Sequence, residues 1–340
     1  MKKFVSLILA LALCLGVCLA LVACGGPNGA TVKINPDKEK YTIGIIQLAP
    51  HEALDAATQG FKDALEKKLT EAGRQVEFKF NNAQGDVPTC NTIVNSYVSE
   101  DVDLIMANAT AALFSAANAT VTIPVLGTSI TEYGVALEIE GFDGTVGGNI
   151  SGTSDLAPLT TQAQMMVDTL GLKEGDKVGL LYCSSEPNSQ YQVDVVGEYL
   201  EERGITATHY KFTDSNDLQT IAQNAASNED AIYVPTDNVA ASNTGIIHNV
   251  CAPANIPVFA GEENTCKGCG YATLAISYYN IGYKTGEMAA DILLGRINIS
   301  ETPIAYDESP VKKYNKAICD ELGIDTAALE ADGYIAIEAE

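Results

Sequence analysis

From Tyr41 onward the chain alternates short apolar runs with longer stretches in which apolar residues recur every three or four positions. The run "YTIGIIQ" (41–47) has strand length, and after it Leu54, Ala57, Phe61, Leu65 and Leu69 fall on one helical face. A strand is predicted in "VEFKFNNA", then a helix near 89–99, a strand in "VDLIMANA" (102–109), a helix near 111–118 and a strand in "IPVLGTS" (123–129). The pattern resumes with "KVGLLYCSS" (177–185), "ATHYKFT" (207–213), "AIYVPTD" (231–237) and "IPVFAGE" (256–262), again separated by helical spacing. Such alternation predicts an α/β fold of two Rossmann-like lobes, each a parallel sheet flanked by helices.

Three segments are placed as crossings between the lobes. "VGGNISG" (146–152) is the first, and "YATLAISYYNIGYKTGEMAADILLG" (271–295) the second, with its helix beginning near Gly282. The tail 301–340 is the third and holds a final helix in "VKKYNKAICDELGI". Residues 41–150 and 278–300 are expected to form the first lobe, and 151–277 with 301–340 the second.

The N-terminus changes the picture. Lys2 and Lys3 precede an apolar stretch over 4–23, which ends in Leu21-Val22-Ala23-Cys24. This reads as an export signal over 1–23. The four residues resemble a bacterial lipobox, in which Cys24 is lipidated. An uncleaved membrane anchor is the rival reading, since twenty apolar residues can span a bilayer. Residues 24–40, rich in Gly, Pro, Asn and Lys, are expected to be a flexible tether. The expected location is therefore the outer face of the cytoplasmic membrane.

Composition narrows the partners. Hydrophobic residues make up 46% of the 340, enough for a packed core, and the formal net charge is −24. That field repels phosphate backbones, so no nucleic acid partner is expected. Six cysteines remain beyond Cys24: Cys90, Cys183, Cys251, Cys266, Cys269 and Cys319. Cys266-Lys-Gly-Cys269 lacks a second CxxC, so no metal site is expected. A loop disulfide, with Cys251 as one candidate, is expected instead, with free buried thiols as the alternative.

Most strands end in small polar groups: Gln47, Asn108 to Thr110, Thr128 to Thr131, Ser184 to Ser189, Thr236 to Asn238, and Glu262 with Glu263. Ligands of open parallel sheets sit beyond the carboxyl ends of strands. Three sets belong to each lobe, so two facing lobes would aim all six into one cleft.

The ordered blocks "YTIGIIQLAPHEALDAATQGFKDAL", "FNNAQGD", "VDLIMANATAAL", "IPVLGTSIT", "GNISGTSD", "VGLLYCSSEPNSQYQV", "IYVPTDNVAAS", "IPVFAGEE" and "ISYYNIGYKTGEMAADILLG" cover roughly 41–325. Together they resemble the ABC-transporter substrate-binding lipoproteins that include the tryptophan- and aromatic-amino-acid-type binding proteins. The resemblance implies a type I periplasmic-binding-protein fold, a monomer closing on a small molecule, and ABC permease and ATPase subunits as partners. No cofactor is implied. The chain departs from the family's usual Asp-Pro at Glu132-Tyr133, and from its Glu-His-Pro at Ala49-Pro50-His51-Glu52.

For an α-amino acid ligand, the ammonium needs a fixed carboxylate, and Asp237 is the first candidate, with Glu262 or Glu263 sharing the role. Turn or cap chemistry is the alternative for Asp237 and Asn238. The ligand carboxylate needs hydroxyls and backbone N–H groups, which Ala109, Thr110, Ser129, Ile130, Ser185, Glu186 and Asn188 flank or supply. Gln47 and Asn108 are candidates for either end, and Tyr278, near the second crossing, is a candidate ligand contact with packing at the hinge as the alternative. No arginine stands among these loops, which disfavours a strongly anionic solute. His51 reads as a solvated loop histidine.

A sensor module would look the same in sequence, and a non-amino-acid solute such as a nucleoside or sugar stays open. An enzyme is disfavoured, because G-x-S-x-G, HExxH and the P-loop pattern are missing and the three histidines have no ligand spacing.

Overall fold

The computed structural model describes residues 31–307 and 309–337. The predicted signal, Cys24 and the start of the tether lie outside them. The first half runs β1 (Lys40–Gln47), α1 (Glu52–Glu71), β2 (Gln75–Asn82), α2 (Val87–Ser99), β3 (Leu104–Asn108), α3 (Thr110–Ala119), β4 (Val125–Ile130), α4 (Tyr133–Ala136) and β5 (Ile150–Ser154). The second half runs α5 (Leu159–Leu170), β6 (Lys177–Cys183), α6 (Pro187–Glu201), β7 (Thr206–Phe212), α7 (Ser215–Asn228), β8 (Ala231–Val234), α8 (Asn238–Ala241), α9 (Thr244–Cys251), β9 (Val258–Ala260), α10 (Glu263–Cys269) and β10 (Ala272–Ala275). The chain ends with α11 (Tyr278–Leu293), a 3-10 turn, β11 (Ala305–Tyr306), β12 (Val311–Tyr314), α12 (Lys316–Leu322), α13 (Thr326–Ala331) and β13 (Ile335–Ala336).

The strands build two sheets, in the orders β11-β5-β4-β3-β1-β2 and β13-β12-β10-β9-β8-β6-β7. The first pairs in parallel throughout, and in the second only β10 with β12 runs antiparallel. Each sheet reverses its winding between its first and third strands, β1 beside β3 and β6 beside β8. A crevice opens at such a reversal, beyond the carboxyl ends.

Local signals account for the elements. Leu54, Ala57, Phe61, Leu65 and Leu69 on α1 are all buried, as their spacing predicts. Asp86 caps α2 by accepting from the Thr89 N–H, and Asp214 with Asp217 forms a capping box on α7. Strand β3 is buried along its whole length, which fits an inner parallel strand.

The chain passes between the sheets three times: after β5, between β10 and α11, and between β11 and β12. Strand β5 and the short β11 both join the first sheet. The expected lobe boundary at 150/151 thus falls inside β5, and the tail expected wholly in the second lobe lends β11 to the first. Backbone pairing decides this, and the glycine-rich run before β5 conceals where pairing begins.

Two further expectations are corrected. Residues from Lys33 are not a loose tether: the Lys33 N–H donates to Thr122 O at 2.8 Å, and Lys38 pairs with Asp103 at 2.6 Å. Helix α11 starts at Tyr278 rather than near Gly282, because the Ser277 side chain caps it by accepting from the Asn280 N–H at 3.2 Å. Gly282 has another task. It faces α1, and a Cβ there would overlap the backbone of Ala57, while one at Gly60 would overlap that of Tyr279. The glycines let α1 and α11 approach at backbone distance.

All six cysteines among the described residues are free and buried, so the expected loop disulfide is absent there.

Candidate functional site

Each strand end hands the chain to a helix, and those junctions meet between the lobes. A cleft there is lined by His51, Ser129 and Asp155 from the first half and by Asn188, Asp237, Asn238, Glu262 and Tyr278 from the second, among others. Its volume is about 10 Å³, room for about one water molecule. The lobes touch directly across it. His51 Nε2 lies 3.2 Å from Asn238 Oδ1, and Lys267 pairs with Glu52 at 3.2 Å. The conformation is closed.

Several polar atoms here have no hydrogen-bond partner in the protein: His51 Nδ1, Ser129 Oγ, Asp155 Oδ1 and Asn188 Oδ1. They are the cleft's open hydrogen-bonding positions. Backbone geometry is forced at the same rim. Ser129 has φ of 56° at a break in the β4–β5 register, and Ala109 has φ of 88° at the start of α3. Side chains disfavour both conformations, and such strain concentrates at working sites.

The predicted residues divide into three groups. Ser129, Asn188, Asp237, Asn238, Glu262 and Tyr278 do line the cleft. Gln47, Asn108, Ala109, Thr110 and Ile130 are buried behind it. Gln47 Nε2 donates to Ala49 O at 2.8 Å and Asp55 at 2.7 Å, while its Oε1 accepts from the Thr58 hydroxyl at 2.7 Å. Asn108 Nδ2 donates to Leu54 O at 2.8 Å, so both amides brace the first turns of α1. Ser185 is exposed and donates to Thr213 O at 3.3 Å, away from the cleft lining.

Glu186 is buried but serves α8. Its Oε1 accepts from the Val239 N–H at 3.1 Å, and its Oε2 from the Asn238 N–H at 3.1 Å and side-chain amide at 2.7 Å. Asp237 is committed in the same way, accepting from the Ala240 N–H at 2.9 Å and the Cys183 N–H at 2.7 Å. Glu262 caps α10 through Asn264 and Thr265.

Sequence reasoning missed two residues. His51 is no solvated loop histidine: it is mostly buried, stands at the start of α1, and burial lowers its pKa. Asp155 follows β5, is buried, and accepts from the Tyr278 hydroxyl through Oδ2 at 2.9 Å. Its place after a crossing strand was the available signal.

Four buried carboxyls thus surround the cleft. Burial pushes Asp155 up to about 6 and Glu262 up to about 7. Burial, reinforced by the Asp237 charge, holds Glu186 at about 7, and burial raises Asp237 as well.

The family of ABC transporter substrate binding proteins matches residues 42–329. The chain belongs to that family. It is 34% identical over 325 residues, 92% of either chain, to the tyrosine-binding protein of Clostridioides difficile strain R20291. Among solved structures it resembles an ABC domain from Streptococcus pneumonia in complex with L-Trp, at 29% identity and TM-score 0.79, covering 88% of this chain and 100% of that one. It also resembles the ligand-free, open structure of a substrate-binding protein with adhesive properties from Clostridium difficile. That likeness has 34% identity and TM-score 0.66, with coverage of 88% and 100%. The backbone is nearer the complex than the open form, although identity runs the other way. This agrees with the closed lobes. The two-lobed type I periplasmic-binding-protein fold is shared with these neighbours, and the family's work is substrate binding rather than turnover.

Proposed function

We propose that this substrate-binding protein is the exported, Cys24-lipidated receptor of an ABC importer and binds an aromatic α-amino acid, tyrosine or tryptophan, between its closing lobes. The observation carrying the reading is the convergence of His51, Ser129, Asp155 and Asn188, each with an unpartnered polar atom, on one interlobe cleft. The tyrosine-binding relative and the L-Trp complex support the choice of ligand.

Asp155 replaces Asp237 as the ammonium acceptor. Asp237 already accepts two backbone N–H groups, whereas Asp155 keeps Oδ1 unpartnered. Ser129 supplies a hydroxyl for the ligand carboxylate, while His51, whose Nε2–H is donated to Asn238 Oδ1, offers Nδ1 as an acceptor to the ligand. The lobes part to admit the ligand and close on it, a shift of a hinged equilibrium. Closed, loaded protein then delivers the ligand to the permease and ATPase subunits as a monomer.

Calorimetric titration with the twenty amino acids, nucleosides and sugars tests this. Selective binding of tyrosine or tryptophan supports it, and binding of only a sugar or nucleoside overturns the ligand assignment. Mass spectrometry of the mature N-terminus tests the lipid on Cys24.

A further inference from the structure

A second, much larger cavity of about 590 Å³ lies beside the cleft. That volume lies within the range of small-molecule sites. Glu262 and Tyr278 line both spaces, so cleft and cavity meet at this pair. The cavity is walled by both halves of the molecule and by the crossings. Ala53 and Ala56 of α1, Ile276 and Val311 give it apolar surface. Two ammonium groups stand in its lining. Lys267 pairs with Glu52 at 3.2 Å, and Lys313 with Glu263 at 2.6 Å. Ion pairs this accessible are worth little, so exchanging one carboxylate for another costs little.

We propose that the two spaces are compartments of one chamber, which takes short peptides with a free N-terminus, dipeptides foremost, as well as a free amino acid. The inference rests on the amino-acid reading of the cleft. The peptide's N-terminal ammonium meets Asp155 Oδ1 and Asn188 Oδ1, the same acceptors that serve an amino acid. Its second residue passes Tyr278 and Glu262 into the apolar compartment. The C-terminal carboxylate takes Lys313, with Lys267 beside it, as its counter-charge. Tyr278 keeps its hydroxyl on Asp155 Oδ2 while the ammonium takes Oδ1, so its ring stands beside the passage as one wall.

The volumes favour this occupant. The closed cleft alone has room for about one water, so a ligand held at Asp155 must extend into the larger compartment, where the two lysines offer a counter-charge to a distant carboxylate. A dipeptide spans the extra ~3.5 Å of one residue and brings the apolar side chain and the carboxylate that this compartment matches.

The test is calorimetric titration with L-tyrosine, L-tyrosyl-L-alanine and N-acetyl-L-tyrosyl-L-alanine. The dipeptide is expected to bind with one-to-one stoichiometry, to compete with tyrosine, and to lose binding on acetylation. Lys313→Ala is expected to weaken the dipeptide tenfold or more and leave tyrosine within twofold. Ala56→Phe, which narrows the compartment, is expected to do the same by a different route. Tyrosine binding without dipeptide binding overturns the inference and leaves the proposed function standing. Dipeptide binding indifferent to both substitutions also overturns it. If neither tyrosine nor any other amino acid binds, the proposed function fails first and takes this inference with it.

Discussion

The Tyr278 hydroxyl donates to Asp155 Oδ2 at 2.9 Å, tying the second crossing of the hinge to the first. The third crossing is tied in as well, because Asp307 accepts from the Ser277 N–H at 3.0 Å. One residue pair therefore belongs both to the hinge and to the cleft.

Asp155→Asn should cost binding far more than Asp237→Asn does. Removing the acceptor of a buried charged contact costs about 2–5 kcal/mol, roughly thirtyfold or more in affinity. Asp237→Asn should chiefly lower stability, by about 1 kcal/mol or more, since it caps α8. Paired titrations and urea melts check this. Equal binding losses with equal stability losses would refute the division of roles.

Stability should fall as pH rises from about 4 to 7. Asp155 at about 6 and Glu186 and Glu262 at about 7 hold their protons more tightly folded than unfolded. Their contribution is full below the ordinary carboxylate range and is lost as pH climbs through 6 to 7, on the order of 3 kcal/mol at most for each. His51 opposes this trend. Its lowered pKa favours the closed form above its ordinary value, and that benefit is lost on acidification. Urea melts between pH 4.5 and 8.5 measure the slope, and Asp155→Asn should flatten it near pH 6. A curve rising across that window contradicts the assignment.

Gly282→Ala should destabilise the chain by several kcal/mol, because the added methyl meets the Ala57 backbone rather than a movable side chain. A change below about 1 kcal/mol by calorimetry would show that α1 and α11 can separate freely.

The six described cysteines should resist a water-soluble disulfide reagent in the native protein and react once unfolded. Burial pushes Cys183 and Cys251 up to about 12 and Cys90 and Cys319 up to about 11, so little thiolate forms. Fast native labelling of any of them would contradict their burial.

The sheets were legible because strand and helix periods differ and each buried face is written in apolar residues. The cleft was legible only at strand ends, and there the period of two misleads. Gln47 and Asn108 sit at such ends yet turn inward to brace α1, while Ser129 and Asn188 face the cleft. Nothing local separates an amide that braces a helix from one that meets a ligand, since both are buried and polar. His51 and Asp155 were harder still. His51 meets Asn238 and Asp155 meets Tyr278, residues far away in the chain, and no window of sequence contains those partners.

The glycine seam gives the first lobe a mechanical character. Helix α1 begins beside His51 at the cleft, and α11 begins at Tyr278 on the hinge; where they are fused backbone to backbone, neither can slide alone. The seam therefore joins the end of α1 at the cleft to the end of α11 at the hinge without an intervening layer of side chains.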